Sequence, residues 1–245
     1  MKIINKIIEK ILNKLSRVIF YLMPREFRSL LRMMRMRRES VHAHYVENEI
    51  LQCFNHFEKH LQNAVHLDVW FIQKYAIEKS LLNDKEKNKF YLEFGVDKGD
   101  TANFFSKYVN KLYAFDSFEG MREDWVGTGV TKGQFNLYKK IPKLNKNIEP
   151  IVGFIQDTLE DFLKKHNPKI NFAHMDIDTY ESTKYALEKL KPYLIKDSII
   201  LFDDLYNRPG WRGGEYKALQ ETFDESEYKF RAFSTDRSSV VIQLN

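Results

Sequence analysis

Two stretches carry acids where a buried strand would end: NFAHMDIDTY (171–180) and SIILFDDLYN (198–207). Each opens as an apolar run and closes in aspartates, Asp176 and Asp178 in the first, Asp203 and Asp204 in the second. Carboxylates gathered at short range repel one another unless a cation or protons intervene. An all-oxygen donor set suits Mg²⁺ or a similar hard cation, and no His/Cys set with zinc character accompanies it. Alternation along a strand would point Asp176 and Asp178 the same way, one to bind metal and the other for base work. The bland alternative is that Asp203 and Asp204 cap the next helix and DID makes turn contacts.

A second group of residues concerns a ligand rather than a cation. YLEFGVDKGDT (91–101) reads as a strand, then E-x-G-x-x-x-G, then a helix. Gly95 lets the chain turn sharply, and Gly99 is expected to let the backbone approach a ligand at the helix N-terminus. The spacing is not G-x-G-x-x-G, so no pyrophosphate cradle is implied; a ligand carboxylate could accept from the helix-end amides. Asp116, in YAFDS, follows Gly95 by 21 residues and ends the next strand, where an acid can hold both hydroxyls of a ribose. Either feature alone could be an ordinary turn, but together they favour an adenosyl ligand. In VGFIQDTLEDF, Gly153 to Gln156 would lie beside the adenine with Gln156 as a polar contact, and Asp157 or Thr158 would cap the following helix.

Elements that could position these groups alternate along the chain. Strands are expected in KFYLEFG, KLYAFD, PIVGF, INFAHMDID and SIILFDD, with helices near 101–109, TLEDFLKKH, 181–194 and GGEYKALQETF. The final strands YKFRAFS and SSVVIQL are separated too briefly for a crossover, so they pair antiparallel. The pattern predicts an α/β fold: a doubly wound, mostly parallel, seven-stranded Rossmann-like sheet with a C-terminal antiparallel hairpin. Residues 89–245 would form this domain, with 41–88 a helical lead-in. Residues 117–150 hold four glycines and little helical periodicity, and lie just past a strand tip, so they are expected to form a lid.

The 245 residues carry a net charge of +5, unevenly spread. Residues 1–40 hold eleven Lys/Arg against three Glu, a net +8, which leaves −3 for the rest. A nucleic-acid footprint across the body is therefore disfavoured. Ile4, Ile8, Ile11, Leu15, Val18 and Leu22 step as one helical stripe with Lys6, Lys10, Lys14 and Arg17 off it, and Pro24 should end it. This basic amphipathic arm (1–40) could pack on the body or a second subunit, lie on an anionic membrane surface, or meet another acidic partner. Cys53 is the one cysteine, which rules out a disulfide framework, and no apolar run reaches the ~18 residues a span requires.

Taken in order, EFGVDKGDT, FDSFEGM, KGQF, DTLEDF, HMDIDTYESTKYALEKLKPYL and FDDL resemble the macrocin O-methyltransferase group, Mg²⁺-dependent class I enzymes that use S-adenosylmethionine (SAM). The resemblance covers roughly residues 90–225. It implies methylation of a sugar hydroxyl, with Asp176, Asp203 and Asp204 as metal ligands and Asp178 as general base. It also implies that Glu93, Gly95 and Gly99 frame the methionine part of SAM, with Asp176 close by. Asp116 and Ser117 would hold the ribose, and Gln156 would lie near the adenine. The family commonly has tyrosine directly after the paired aspartates, whereas Leu205 comes first here and Tyr206 second. Two other functions fit less well. A nucleic-acid methyltransferase would need N/D-P-P-Y/F where DIDTY stands, and a non-catalytic membrane-peripheral scaffold has no reason to keep all four acids. The expected setting is cytoplasmic, at the inner face of a membrane, with a sugar-containing substrate and a homo-oligomeric state open. Trp125, Phe135 and Trp211 are expected either to stack on a sugar or simply to pack, and His174 to be a satisfied core histidine.

Overall fold

The computed structural model describes residues 12, 14–16, 18–29, 34 and 40–245. Its contacts divide the chain into 1–48 and 49–245. In the first unit, described residues 18–22 and 25–29 are helical and the helix is broken at Met23 and Pro24, as the proline predicts. The positions Ile4, Ile8 and Ile11 of the expected stripe lie outside the described residues.

From residue 41 the elements run α1 (Val41–Leu61), β1 (Val65–Leu67), α2 (Val69–Leu81), β2 (Phe90–Phe94), α3 (Asp100–Phe105), β3 (Leu112–Asp116), β4 (Ile148–Val152), α4 (Ile155–His166), β5 (Ile170–Met175), α5 (Tyr180–Leu190), β6 (Leu194–Phe202), α6 (Glu215–Thr222), β7 (Tyr228–Ser234) and β8 (Val240–Leu244). One sheet has the order β1-β7-β8-β6-β5-β2-β3-β4. All neighbours are parallel except β8, which runs antiparallel to both β6 and β7. The doubly wound sheet and closing hairpin are as the sequence predicts. Among the described residues the strand count is eight rather than seven. Val65–Leu67 adds an edge strand beside β7, too short to show a period and inside a stretch read as helical.

The central strands β2, β3, β5 and β8 are buried on both faces, which is why they read as apolar runs rather than alternating ones. Along β3, Phe115 joins a core layer with Phe57, Phe94, Phe162 and Phe202, while Ala114 faces a second layer with Ile72, Phe105 and Phe172. Covering each face removes apolar area from water at about 25 cal/mol per Å². This burial fixes the strand tips against one another.

Local boundaries differ from the sequence pattern in three places. α3 ends at Phe105, because residues 106–110 make turns that bring Val109 under the sheet. α4 begins at Ile155 with Phe154 at its N-cap and no side-chain cap, so neither Asp157 nor Thr158 caps it. Thr158 instead donates its hydroxyl to the Phe154 carbonyl at 3.1 Å. α5 ends at Leu190, where Lys191–Tyr193 tightens to a 3-10 turn leading into β6.

Residues 117–147 contain no helix or strand. The segment is nonetheless bonded to itself. Met121 and Gln134 pair through the Met121 N–H (3.0 Å), Gly133 donates back to Met121 (3.0 Å), and Trp125 donates to Val130 (3.1 Å). Phe118, fully buried, anchors its start.

Candidate active site

The strand order turns at β2, with β3 and β4 to one side and β5 and β6 to the other. Open α/β sheets take ligands outside the carboxyl ends of their strands at such a point. A crevice of 420 Å³ lies there, lined at the strand tips by Gly95, Asp116, Gly153, Asp176 and Asp203. Met121, Trp125 and Phe135 of the irregular segment line it from the other side.

Gly95 has φ +86°, and its N–H donates to the Phe115 carbonyl at 2.9 Å. A Cβ at that position would sit 1.7 Å from the Asp176 carbonyl oxygen, so β2 and β5 close at their tips only over glycine. Gly99, expected to let the backbone approach a ligand, also packs against the irregular segment. A Cβ there would meet Leu144 at 2.8 Å, so the glycine seats the irregular segment, and Gly99 is not among the described residues lining the crevice.

Asp116 is fully engaged by the chain. Its Oδ2 accepts from the Val96 and Asp97 N–H groups (2.7 and 3.0 Å), and its Oδ1 accepts from Phe118 N–H (2.7 Å). The carboxylate thus sets the turn after β2 while remaining on the crevice wall beside Ser117. Glu93 lies behind that wall, with 0% of its surface exposed. One of its oxygens is shared by the Thr101 hydroxyl and by His174 Nδ1 at 3.2 Å, and the other has no partner. His174 is therefore satisfied at Nδ1 alone; its Nε2 is buried without a partner. Gln156 lines the crevice, but Arg122 Nη1 donates to its Oε1 at 3.0 Å while the Arg122 guanidinium lies 4.4 Å over the Phe154 ring.

At the other end, carboxylate oxygens of Asp176, Asp178 and Asp204 lie within 4.8 Å of one another. β5 stops at Met175, so strand alternation does not place Asp178; a left-handed turn does, with Asp178 at φ +60°. Non-glycine residues held in that region cost of order 1–3 kcal/mol and cluster at functional sites. Asp203 is turned partly aside, its Oδ1 accepting from Ser239 Oγ at 2.9 Å. Neither Asp203 nor Asp204 caps a helix, since α6 starts only at Glu215.

Burial, reinforced by the neighbouring Asp203, Asp178 and Asp204 carboxylates, holds the Asp176 acid well above its usual range. Burial and Asp203 push Asp178 up to about 6, opposed by a hydrogen bond with Asp204 and by Arg208. Burial, Asp203 and Asp178 push Asp204 up to about 8, with Arg208 opposing. Acids raised this way favour protons or a cation among them. Three carboxylates within one ion's reach have the donor chemistry of a hard-cation site.

Several contributors gave no signal in the sequence. Arg122 is one cation in a charged segment. Arg208 follows an irregular turn, its guanidinium 4.9 Å over Trp125. Glu215 opens a helix with no capping pattern to mark it. Of the aromatics, Trp125 and Phe135 line the crevice, whereas Trp211 is buried among Phe57, His56 and Tyr216 and only packs.

Residues 92–205 match a family profile described as a methyltransferase domain. Among solved structures, the chain is similar to CalS11, a calicheamicin methyltransferase, with a TM-score of 0.58 and 20% identity over 90% of this chain and 93% of that one. The apo structure of CalS11, titled a TDP-rhamnose 3'-O-methyltransferase of calicheamicin biosynthesis, gives a TM-score of 0.52 and 19% identity over 90% and 95%. The O-methyltransferase NovP gives a TM-score of 0.52 and 18% identity over 71% and 78%. No curated protein matches the sequence. The domain match and the fold bear out the resemblance to methyltransferases. Residues 92–205 thus match a methyltransferase domain, and the chain has a Rossmann-like methyltransferase fold.

Proposed function

We propose that this methyltransferase moves the methyl group of SAM to a hydroxyl of a sugar or glycosylated small molecule, with a divalent cation at the acidic end of its crevice. The observation that carries this reading is a single crevice with a ribose-type acid, Asp116, on one wall and the Asp176, Asp178 and Asp204 carboxylates on another. The sugar class rests on the similarity to CalS11, whose title names a TDP-rhamnose 3'-O-methyltransferase.

The residues fit both groups. For SAM, the Asp116 carboxylate, Ser117 and Gly95 border the space at the switch of strand order, and Gln156 and Phe154 lie on its far wall. What SAM supplies is a methyl group on a sulfonium, a carbon already poised for displacement. For the cation, Asp176 and Asp204 would be ligands whichever of their neighbours completed the set, and Asp203 has a second oxygen that could join them. What the cation supplies is a lowered pKa for a bound hydroxyl.

Asp178 then acts as the base. It would accept the proton of the acceptor hydroxyl as the methyl group is transferred to that oxygen, the carbon–sulfur electron pair remaining with the cofactor's sulfur. Trp125 and Phe135 help exclude water. Orientation supplies much of the rate: well-aligned reactants reach effective molarities of about 10⁵–10⁸ M. The test is calorimetric titration with S-adenosylhomocysteine, repeated on Asp116→Ala, followed by a panel of nucleotide sugars and glycosides with Mg²⁺. Micromolar binding that the substitution abolishes supports the cofactor assignment. No binding with cation and acceptor present overturns it.

A second reading concerns place rather than chemistry. We infer that the arm meets an anionic membrane, because its net charge is +8 and Leu15, Val18 and Leu22 are exposed at helical spacing. Among the described residues no helix is long and apolar enough to cross a membrane. Co-sedimentation with vesicles containing anionic lipid, but not with neutral ones, is the expected result; equal partitioning with both, or with neither, sinks it.

A further inference from the structure

We propose that Glu215 is a positioning residue for the cation site, holding the main chain of Asp204 so that its carboxylate meets those of Asp176 and Asp178. The inference rests on the cation reading above and extends it to a residue outside the acid cluster.

Asp204 belongs to no helix or strand. A single bridge pairs it with Ser238, but the Leu205 N–H makes the bond to the Ser238 carbonyl (3.1 Å), so the N–H and carbonyl of Asp204 itself need other partners. It has one at each pole. The Asp204 N–H donates to Glu215 Oε2 at 2.9 Å, and the Asp204 carbonyl accepts from Arg208 Nε at 3.2 Å. Both partners are enclosed, Glu215 with 0% and Arg208 with 8% of its surface exposed. Burying a carboxylate beside a cluster of other carboxylates is costly, and a hydrogen bond to one peptide N–H is a small return for it. A chain needing only to fill that space would use leucine or methionine. Glu215 is therefore explained by what it holds.

The surroundings restrict the arrangement to these residues. Gly214, immediately before Glu215, has Arg208 Nη2 3.0 Å from where a Cβ would lie. The Arg208 guanidinium also stacks over Trp125 of the roof at 4.9 Å, and a Cβ on Gly127 would come 2.5 Å from the Pro209 carbonyl. Arg208, one of the two side chains that hold Asp204, thus reaches the segment covering the acceptor end. Glu215 Oε1, Arg208 Nη2 and Trp125 Nε1 are each buried without a partner.

The experiment compares Glu215→Gln, Glu215→Met and the wild type, measuring Mn²⁺ affinity by electron paramagnetic resonance and S-adenosylhomocysteine affinity by calorimetry. The glutamine retains a carbonyl acceptor for the Asp204 N–H; the methionine fills the volume without one. Groups that orient metal ligands typically change metal affinity about 10–100-fold. Glu215→Met should therefore bind Mn²⁺ at least about tenfold more weakly with cofactor affinity kept, and Glu215→Gln should stay within about threefold of wild type. Wild-type Mn²⁺ affinity in Glu215→Met overturns the inference alone. Parallel loss of both ligands in Glu215→Met overturns it too, since the residue would then merely support the fold. A wild-type protein that binds no Mn²⁺ overturns the cation reading and this inference with it.

Discussion

Asp116 and Asp176 occupy equivalent places, each an acid at the tip of a parallel strand on the same crevice, yet their surroundings are opposite. Asp116 accepts three backbone N–H groups from the chain around it. Asp176 stands among carboxylates, and its acid is raised by burial and by them. A carboxylate satisfied by peptide donors is part of the scaffold and can offer remaining lone pairs to a neutral ligand. A group of carboxylates without compensating donors is stable only when something positive joins it. One end of the crevice is thus prebuilt, and under the proposed function the other is completed by the cation it binds.

The substitution that should damage both ends at once is Gly95→Ala. Its Cβ would lie 1.7 Å from the Asp176 carbonyl oxygen, in a left-handed backbone conformation. The tips of β2 and β5 must then part, which costs about 3 kcal/mol or more when the strain of the left-handed alanine adds to the clash. Urea unfolding should show that loss, with cofactor and Mn²⁺ affinity falling together. A variant of wild-type stability would mean the two ends are not joined through this glycine.

The next pair should separate the ends. Asp178→Asn removes the proton acceptor and should lower turnover about 10²–10⁴-fold, the usual worth of a general base, with cofactor affinity kept. Asp116→Ala should do the reverse first. It frees the Val96, Asp97 and Phe118 N–H groups, at about 1–3 kcal/mol for a buried donor left alone, and so weakens cofactor binding before chemistry can be measured. Equal activity in Asp178→Asn would remove it as the base.

Much of this was legible because it depends on strand periodicity. Apolar runs ending in acids identify buried parallel strands and the edge they share, and FDS, DID and FDD mark three of the tips. What was not legible depends on close packing between distant segments. Gly99 reads as a ligand glycine, and its close packing on Leu144, 45 residues on in the chain, gives no signal. Asp178 seemed to follow strand alternation, whereas a left-handed turn places it. Asp203 could not be told from Asp204 until Ser239, at the start of the last hairpin strand, was seen to take one of its oxygens. Glu215 carries no motif because its partner is a peptide group.

That last distinction gives a smaller, sharper test at the acidic end. Asp204 faces Asp176 and Asp178, while Asp203 shares a carboxylate with Ser239. Asp204→Asn should therefore weaken Mn²⁺ binding about tenfold more than Asp203→Asn, read by electron paramagnetic resonance. The opposite ranking would show that the cation draws Asp203 away from Ser239 and leaves Asp178 wholly free for base work.

The smallest effect should come at the satisfied end, from Gln156→Ala. The sequence suggests a contact to adenine, but the side-chain carbonyl already accepts from Arg122, which in turn lies over Phe154. If adenine is held mainly by Phe154 and the walls around it, deleting the amide removes one partly exposed hydrogen bond, worth about 0.5–1.5 kcal/mol. Calorimetry should show S-adenosylhomocysteine affinity falling by no more than about tenfold, with turnover at saturating cofactor unchanged. A much larger loss would mean that Arg122 releases Gln156 when the cofactor binds. The prebuilt end would then rearrange as the acidic end does, and the contrast between them would be one of degree.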